Sequence, residues 1–414
     1  MARVLLLSNG HGEDLSGALV GAALMARGVA VEALPLVGHG SAYRQRGIAV
    51  LGPTREFRTG GLGFTSFHGQ LSELLGGQVA HVMASLLRLM RRRGRYQLVV
   101  AVGDLVAVLG AWLGGCRCAV YLVAYSSHYE GKLRLPWPCG WLLRRRRVSR
   151  IWSRDALTAS DLSQQLRRPV DFLGNPFLDA AVEPALARTT APRQLCMALL
   201  PGSRMPEAGA NLELMLRLLA LLPQALHQPD TLQLRAVLVK SLDAATVRQR
   251  AAAHGWRARA HDRLERGGLE LKLSWSGAGA ALARADLVLA MAGTATEQAV
   301  GLGKPVLQLV GQGPQFTEGF AEAQRRLLGA GVHCASGEPG TAMTLEATAR
   351  LAWALLAELA DPATGPELRS RLARTAQERI GAPGGTERLA AAIMELLPPV
   401  DVRSATQEPV QPRG

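Results

Sequence analysis

A chain of 414 residues, 48% of them hydrophobic, is too long for one ordinary core and fits two globular domains. Its 45 glycines suit an α/β protein full of tight strand–helix turns rather than an all-α bundle, and 5% aromatic content argues against a stacking platform for single-stranded nucleic acid. The net charge of +14 is concentrated at the front, where Met1 to Asn175 carries 22 Lys and Arg against 10 Asp and Glu. That asymmetry either points to a polyanionic partner (nucleic acid, anionic lipid headgroups or a phosphorylated substrate) or reflects codon bias alone.

Val4 to Leu7 reads as a buried strand leading into the polar turn Ser8-Asn9-Gly10-His11-Gly12-Glu13-Asp14 and a small-residue helix through Ala26. Gly10 and Gly12 flank His11 and let the backbone approach a ligand, although the spacing is not G-x-G-x-x-G and the usual dinucleotide fold is not indicated. His11 reads as a base, an electrophile or a turn residue, and Glu13 and Asp14 beside it favour its charged form. Val29 to Leu36 is a second strand, and Gly38 to Gly63 a long Gly- and Arg-rich loop. Leu71 to Met90 has helical spacing and ends in the basic run Arg91 to Arg95. Leu98 to Asp104 is the clearest strand of this half. Asp104 stands at its C-terminal end, where ligands gather in open α/β sheets, and is a candidate general base or else a helix cap.

Ala119 to Ala124 is the next strand, followed by the polar loop Tyr125 to Lys132. Trp137 and Trp141 then stand beside Arg144, Arg145, Arg146 and Arg147, a combination that suits contact with a membrane surface or a lipid-phosphate acceptor. The alternative is a partly buried helix with an Arg-rich outer face. Arg150 to Ser153 reads as a short strand, Asp155 to Leu166 as a polar stretch, and Val170 to Asp179 as strand then turn. The first domain is expected over 1–179 and a linker over 180–193.

Leu195 to Leu200 opens a second α/β series over 194–380. Its turn, Pro201-Gly202-Ser203-Arg204, offers N–H donors, a hydroxyl and a guanidinium, all suited to a diphosphate. Asn211 to Leu222 is an amphipathic helix, and Leu234 to Val239 and Leu269 to Trp275 are strands. Asp286 to Met291, the break at Gly293 and Thr294, the helical stretch Thr296 to Leu302 and the strand Val306 to Val310 make one βαβ unit. Its turn can meet a phosphate with backbone N–H groups and the positive helix end, and Glu297 can accept from sugar hydroxyls. Alternatively, Gly293 merely lets helix and strand pack closely and Glu297 is a solvated first-turn carboxylate. Gly311 to Phe316 is a loop. Helices follow over Glu318 to Leu328, Thr344 to Leu359, Pro366 to Ile380 and Thr386 to Leu397, the last within a segment 381–397 expected to pack back on the first domain; 398–414 is expected to be a disordered tail. Five scattered cysteines, with Cys116-Arg-Cys118 lacking zinc-knuckle spacing, suit reduced thiols in a cytoplasmic protein and no metal site. No signal-peptide pattern and no apolar run near the roughly 20 residues of a membrane span are present, so membrane association is expected to be peripheral.

On Ser8 to Asp14, Gly174-Asn175-Pro176, Leu199 to Arg204, and Gly293 to Gln298 with Gly303-Lys304-Pro305, the chain from about Arg3 to Leu397 resembles the lipid-A-disaccharide synthase family, especially its synthase-related branch of photosynthetic bacteria. The resemblance implies an α/β fold of GT-B type, two Rossmann-like domains facing across a cleft. It further implies an inverting, metal-independent glycosyltransferase with no cofactor, moving a hexosamine or hexose from a UDP-sugar donor to a lipid-linked or phosphorylated acceptor at an anionic membrane surface. No nucleic-acid partner is expected. Carried over residue by residue, Ser203 and Arg204 meet the diphosphate, Gly293 and Thr294 the phosphate end of the nucleotide, and Glu297 the ribose hydroxyls, with Gly202 and Gln298 also among the UDP-sugar-binding residues. Asn9, Gly10 and Gly12 form the facing turn, and Asp104 or His11 is the base. The chain departs from the family at that facing turn and after Asp104, where Leu105 replaces the family's Asp-x-Pro-Asp continuation, so the donor half is kept and the acceptor half altered. A UDP-N-acetylglucosamine 2-epimerase, or a non-catalytic scaffold binding anionic lipid or a partner, are the competing readings.

Overall fold

The computed structural model describes residues 2–55, 77–182, 194–228, 230–311 and 317–398. The greater part of the expected 180–193 linker, the end of the Gly38 to Gly63 loop, the start of the Leu71 to Met90 helix, most of the Gly311 to Phe316 loop and nearly all of the tail lie outside the described residues.

The first sheet comprises β1 (Arg3–Ser8), β2 (Ala30–Pro35), β3 (Ala49–Val50), β4 (Leu98–Gly103), β5 (Cys118–Leu122) and β6 (Val148–Ser153). Its order is β3-β2-β1-β4-β5-β6, and every pairing is parallel. Helices cover both faces, which is why these strands read as unbroken apolar runs. In β1, Leu5 and Leu7 pack into one buried cluster with Val82 and Leu86, whereas Val4 and Leu6 pack into another with Ala18 and Leu24. The two-residue repeat of a strand thus feeds both sides of the sheet.

The second sheet holds β7 (Leu195–Leu200), β8 (Leu232–Val237), β9 (Arg257–Ala260), β10 (Arg263–Arg266), β11 (Leu269–Ser274), β12 (Leu287–Ala290), β13 (Val306–Gln308) and β14 (Val332–Cys334). The order is β14-β13-β12-β7-β8-β11-β10-β9, parallel except where β10 runs against both of its neighbours. Strand order reverses beside β1 in one sheet and beside β7 in the other, and ligand crevices of open α/β sheets lie outside the carboxyl ends of strands at such points. These two Rossmann-like lobes are the architecture that the sequence led us to expect.

Three local expectations are corrected. The polar stretch after Asp155 is a helix, Ala156–Leu166, because Asp155 caps it by accepting from the Thr158 amide at 2.7 Å and Leu162 and Leu166 are buried. Val170 to Asp179 forms no strand beyond a single bridge between Trp152 and Asp171. The long front loop carries the helix Ser41–Arg44 and strand β3.

The lobes are tied through the Gly174-Asn175-Pro176 turn. A side chain at Gly385 would come within 2.6 Å of the Asn175 nitrogen, so the segment returning from the rear lobe crosses this turn backbone against backbone. Asn175 Nδ2 donates to the carbonyls of Arg154 (2.8 Å) and Ile380 (2.7 Å). Asp179 accepts from the amides of Gly384 (2.6 Å) and Thr386 (2.8 Å), and the helix Gly385–Met394 then lies against the helix His11–Ala26, where Arg27 pairs with Glu387 at 2.5 Å.

Candidate active site between the lobes

The turn after β1 enters the helix His11–Ala26 at the reversal point of the front sheet. A side chain at Gly12 would approach Thr294 Oγ1 to 2.9 Å, so this turn touches the start of the rear-lobe helix Thr294–Gly301. Asn9 is buried, and its Nδ2 donates to Asp104 Oδ2 at 2.9 Å. The other oxygen of Asp104 accepts from the amides of Val106 (2.9 Å) and Ala107 (3.3 Å), capping the helix Leu105–Leu113. Of the two roles open to Asp104, the structure shows the cap. Burial holds its carboxyl above the usual carboxylate range, against these hydrogen bonds.

A second carboxylate, which the sequence presented only as a neighbour of His11, occupies the same place. Burial pushes Glu13 up to about 8, with its own backbone amide opposing and the charges of Asp104, Asp14 and Glu297 adding to the rise. Burial raises Asp14 to about 7, although Ser8 Oγ donates to it at 2.6 Å and the Gly40 amide also binds it. Tyr43, buried beneath, donates to Ser8 Oγ at 2.9 Å. His11 is exposed at the head of the helix and faces Gly38. Three carboxyl groups thus meet at one sheet edge, each with its neutral form favoured by burial.

The rear lobe presents the opposite chemistry. Gly202 has φ 107°, and a side chain there would strike the Met291 carbonyl at 2.8 Å, so the turn after β7 lies hard against the end of β12. Asn211, buried, pins this turn by donating to the Pro201 carbonyl at 2.9 Å. Ser203 is exposed and Arg204 half-buried, and the Arg204 guanidinium has no hydrogen-bond or ion-pair partner among the described residues. Gly293 precedes the helix Thr294–Gly301 with open space where a side chain would stand, and Thr296 Oγ1 fixes the turn through the Ala292 carbonyl at 2.6 Å. The first amides of that helix and its positive end are therefore accessible at the lobe junction. Gln298, expected among the UDP-sugar-binding residues, donates to the Phe177 carbonyl of the front lobe at 2.8 Å.

Arg154 joins these halves and was not singled out from the sequence. It follows β6 directly and is only 4% exposed. Nη1 donates to the Val123 carbonyl at 3.1 Å, and Nη2 lies 3.4 Å from Glu297 Oε1. Burial works against its charge, but Glu297 and Asp155 outweigh it and hold the guanidinium above its usual value. Arg154 Nε, Arg154 Nη2 and Asn9 Oδ1 are buried here without a hydrogen bond among the described residues, which is unusual for interior polar atoms. The signal available in the sequence was the trio Ser153-Arg154-Asp155 at the carboxyl end of an apolar strand. Asp155 itself accepts from Ser126 Oγ at 2.7 Å and lies 3.8 Å from His128 Nε2, which ties in the Tyr125 to Lys132 loop. Burial lowers His128.

The Trp and Arg segment lies elsewhere. Arg147 precedes β6, and its carbonyl accepts from the Cys118 amide at 2.9 Å, which places it at the amino edge of the sheet, opposite Asp104. Arg145 stacks on Trp141 at 3.7 Å, Arg147 lies over Trp112 at 5.1 Å, Arg144 donates to the Gln165 carbonyl, and Trp137 is 88% exposed. Arg144, Arg145, Arg146 and Arg147 therefore stand at the end of the sheet opposite the cleft residues. Among the described residues no group of three or more His, Cys, Asp or Glu is arranged to hold a metal ion, and no helix is long and apolar enough to cross a membrane.

No protein-family model matches the sequence, and no curated protein matches it. Solved structures do. The chain is similar to CalG4, the calicheamicin glycosyltransferase (TM-score 0.60, 15% identity, 96% of this chain and 98% of that one), and to MurG of Acinetobacter baumannii (0.56, 15%, 95% and 100%). It is also similar to a protein from Listeria monocytogenes described as a UDP-N-acetylglucosamine 2-epimerase (0.56, 16%, 95% and 97%). At these identities the likeness is one of fold, and the fold is GT-B: two Rossmann-like lobes meeting across a cleft.

Proposed function

We propose that the protein is an inverting glycosyltransferase that moves a hexosamine or hexose from a UDP-sugar to a lipid-linked or phosphorylated acceptor at a membrane surface. One observation carries this reading: the rear-lobe turn at Gly293 and Thr294, beside whose strand the turn of the uncommitted Arg204 packs, touches the front-lobe turn that bears raised carboxyl groups. The amides around Gly202, Ser203, Gly293 and Thr294, with the Arg204 guanidinium, hold the diphosphate and offset the charge that grows on departing UDP. Glu297, steadied by Arg154, accepts from the ribose hydroxyls. The base comes from the front lobe. Asp104 has both oxygens occupied, so Glu13, whose value near 8 suits proton transfer close to neutral pH, takes that role, with His11 the alternative. Purified protein supplied with a UDP-sugar panel and a polar lipid extract is expected to release UDP only when both are present. No release together with no UDP-sugar-induced thermal shift would remove the reading.

The three clustered carboxyl groups also favour a second reading, a UDP-N-acetylglucosamine 2-epimerase, in which a carboxylate removes the proton at sugar C2 as UDP leaves C1, and proton and UDP are then added back with C2 inverted. Conversion of donor alone, without any lipid, distinguishes it.

A further inference from the structure

An open groove of about 570 Å³ lies at the amino edge of the front sheet, away from the cleft, and five arginines line it: Arg117, Arg144, Arg146, Arg167 and Arg168. An adjoining groove of about 510 Å³ shares Arg144 and adds Lys132 and Arg134. No carboxylate lines either one.

Like charges gathered without counter-charges raise the energy of the folded chain, so their arrangement needs a cause. Here three of the guanidiniums are held in place by neutral oxygens only. Arg168 donates to the carbonyls of Leu143 (2.8 Å) and Val148 (2.7 Å), Arg144 to that of Gln165 (2.8 Å), and Arg117 to Ser149 Oγ (3.2 Å) and the Leu396 carbonyl (3.4 Å). These bonds fix geometry and leave the positive charge in full. Arg146 and Arg167 are exposed and have no side-chain partner among the described residues. Arg167, moreover, ends its helix with φ 54°, a left-handed position that usually falls to glycine or asparagine, and it is the one non-glycine residue with positive φ among the described residues. A guanidinium is kept where the backbone favours another residue.

We propose that this groove is a second anion site, separate from the cleft, that binds a phosphate or diphosphate group, free or on a lipid headgroup. Guanidiniums fixed by carbonyls are pre-oriented for the paired N–H···O contacts that phosphate oxygens accept. The proposal does not rest on the sugar-transfer reading.

The test uses the full chain and two probes: inorganic pyrophosphate by calorimetry, and vesicles of phosphatidylcholine with and without phosphatidic acid by co-sedimentation. The wild type is expected to bind pyrophosphate, the phosphatidic acid vesicles or both, and the variant Arg146→Ser/Arg167→Asn to bind at least about tenfold more weakly with an unchanged melting temperature. Asn is chosen because it tolerates the left-handed backbone. Should the double variant fold poorly, Arg146→Ser alone decides, since that exposed side chain holds nothing else. Binding of both probes identifies the phosphate group itself as the ligand, and binding of vesicles alone a lipid headgroup. Wild-type protein that binds neither probe, a variant that binds as well as the wild type, or binding lost in Arg204→Ala instead, overturns the proposal.

Discussion

The two lobes meet with the same device, a strand running into a helix through a small turn, yet they present opposite chemistry. At the rear, the turns after β7 and β12 leave backbone amides and the Arg204 guanidinium uncommitted. At the front, the turns after β1 and β4 gather buried Asp14 with half-buried Glu13 and Asp104, and all three are raised. The difference lies in the charge beside each turn: the uncapped helix after β1 carries Glu13 and Asp14 in its first turn, whereas the uncapped helix at Gly293 has Glu297 held by Arg154. After β4, Asp104 spends its carboxylate on the amides of Val106 and Ala107, so that helix end is closed. At the rear, no side chain caps the helix at Gly293, and its end stays open to an anion. One lobe is thus fitted to hold negative charge and the other to hold or move a proton.

Arg154 is the point at which the two chemistries meet, and its loss is expected to have the largest effect. Arg154→Met leaves Glu297, whose side chain is 17% exposed, facing the front carboxylates alone, and removing one partner of such a pair costs about 3 kcal/mol. Denaturant unfolding measures this, and the added change Glu297→Gln should restore part of it; equal stability of wild type and Arg154→Met would break the comparison at its centre. Arg204→Ala should weaken UDP binding and turnover about hundredfold while leaving stability unchanged, because its guanidinium supports nothing in the fold. Calorimetry with UDP reads the first effect and thermal unfolding the second.

The front lobe is sharpened by pH. Glu13, near 8 when folded against an ordinary 4.5, keeps a proton that the unfolded chain has lost, so its contribution to stability falls as pH rises from about 4.5 to about 8. Glu13→Gln should make that part of the stability profile less steep, with Asp14 still contributing a fall up to about pH 7. If Glu13 is the base, the same variant also abolishes the rise of activity toward pH 8. A stability curve identical to wild type would show that the carboxyl is not held neutral by the fold. The smallest effect is expected at the contact between lobes. Gly12→Ala places a methyl group 2.9 Å from Thr294 Oγ1 and should raise the Michaelis constant for the donor severalfold, about 1 kcal/mol, with recovery in the pair Gly12→Ala/Thr294→Ala.

How much of this could be read from the residues follows from burial. Strands such as β4 and β7 are covered on both faces, so apolar runs announced them, and the Pro201 to Arg204 and Gly293 to Glu297 turns were legible because glycine, hydroxyl and charge follow those runs directly. The hairpin of β9 and β10 was not, since every residue of Arg257–Ala260 is exposed and an edge strand of that kind carries no hydrophobic pattern. Asp104 stayed ambiguous because a cap and a base draw on the same residue type at the same place. Arg154 was hidden because its importance arises from burial opposite Glu297, 143 positions along the chain, and no local spacing records that.

The chain passes between the lobes twice, once beyond Asp179 and again at Ile380 to Gly385, and the Asn175 amide grips the second passage. Two passages pinned to one another in this way, like the paired pins of a door hinge, resist sliding or twisting of one lobe past the other more than a single tether would.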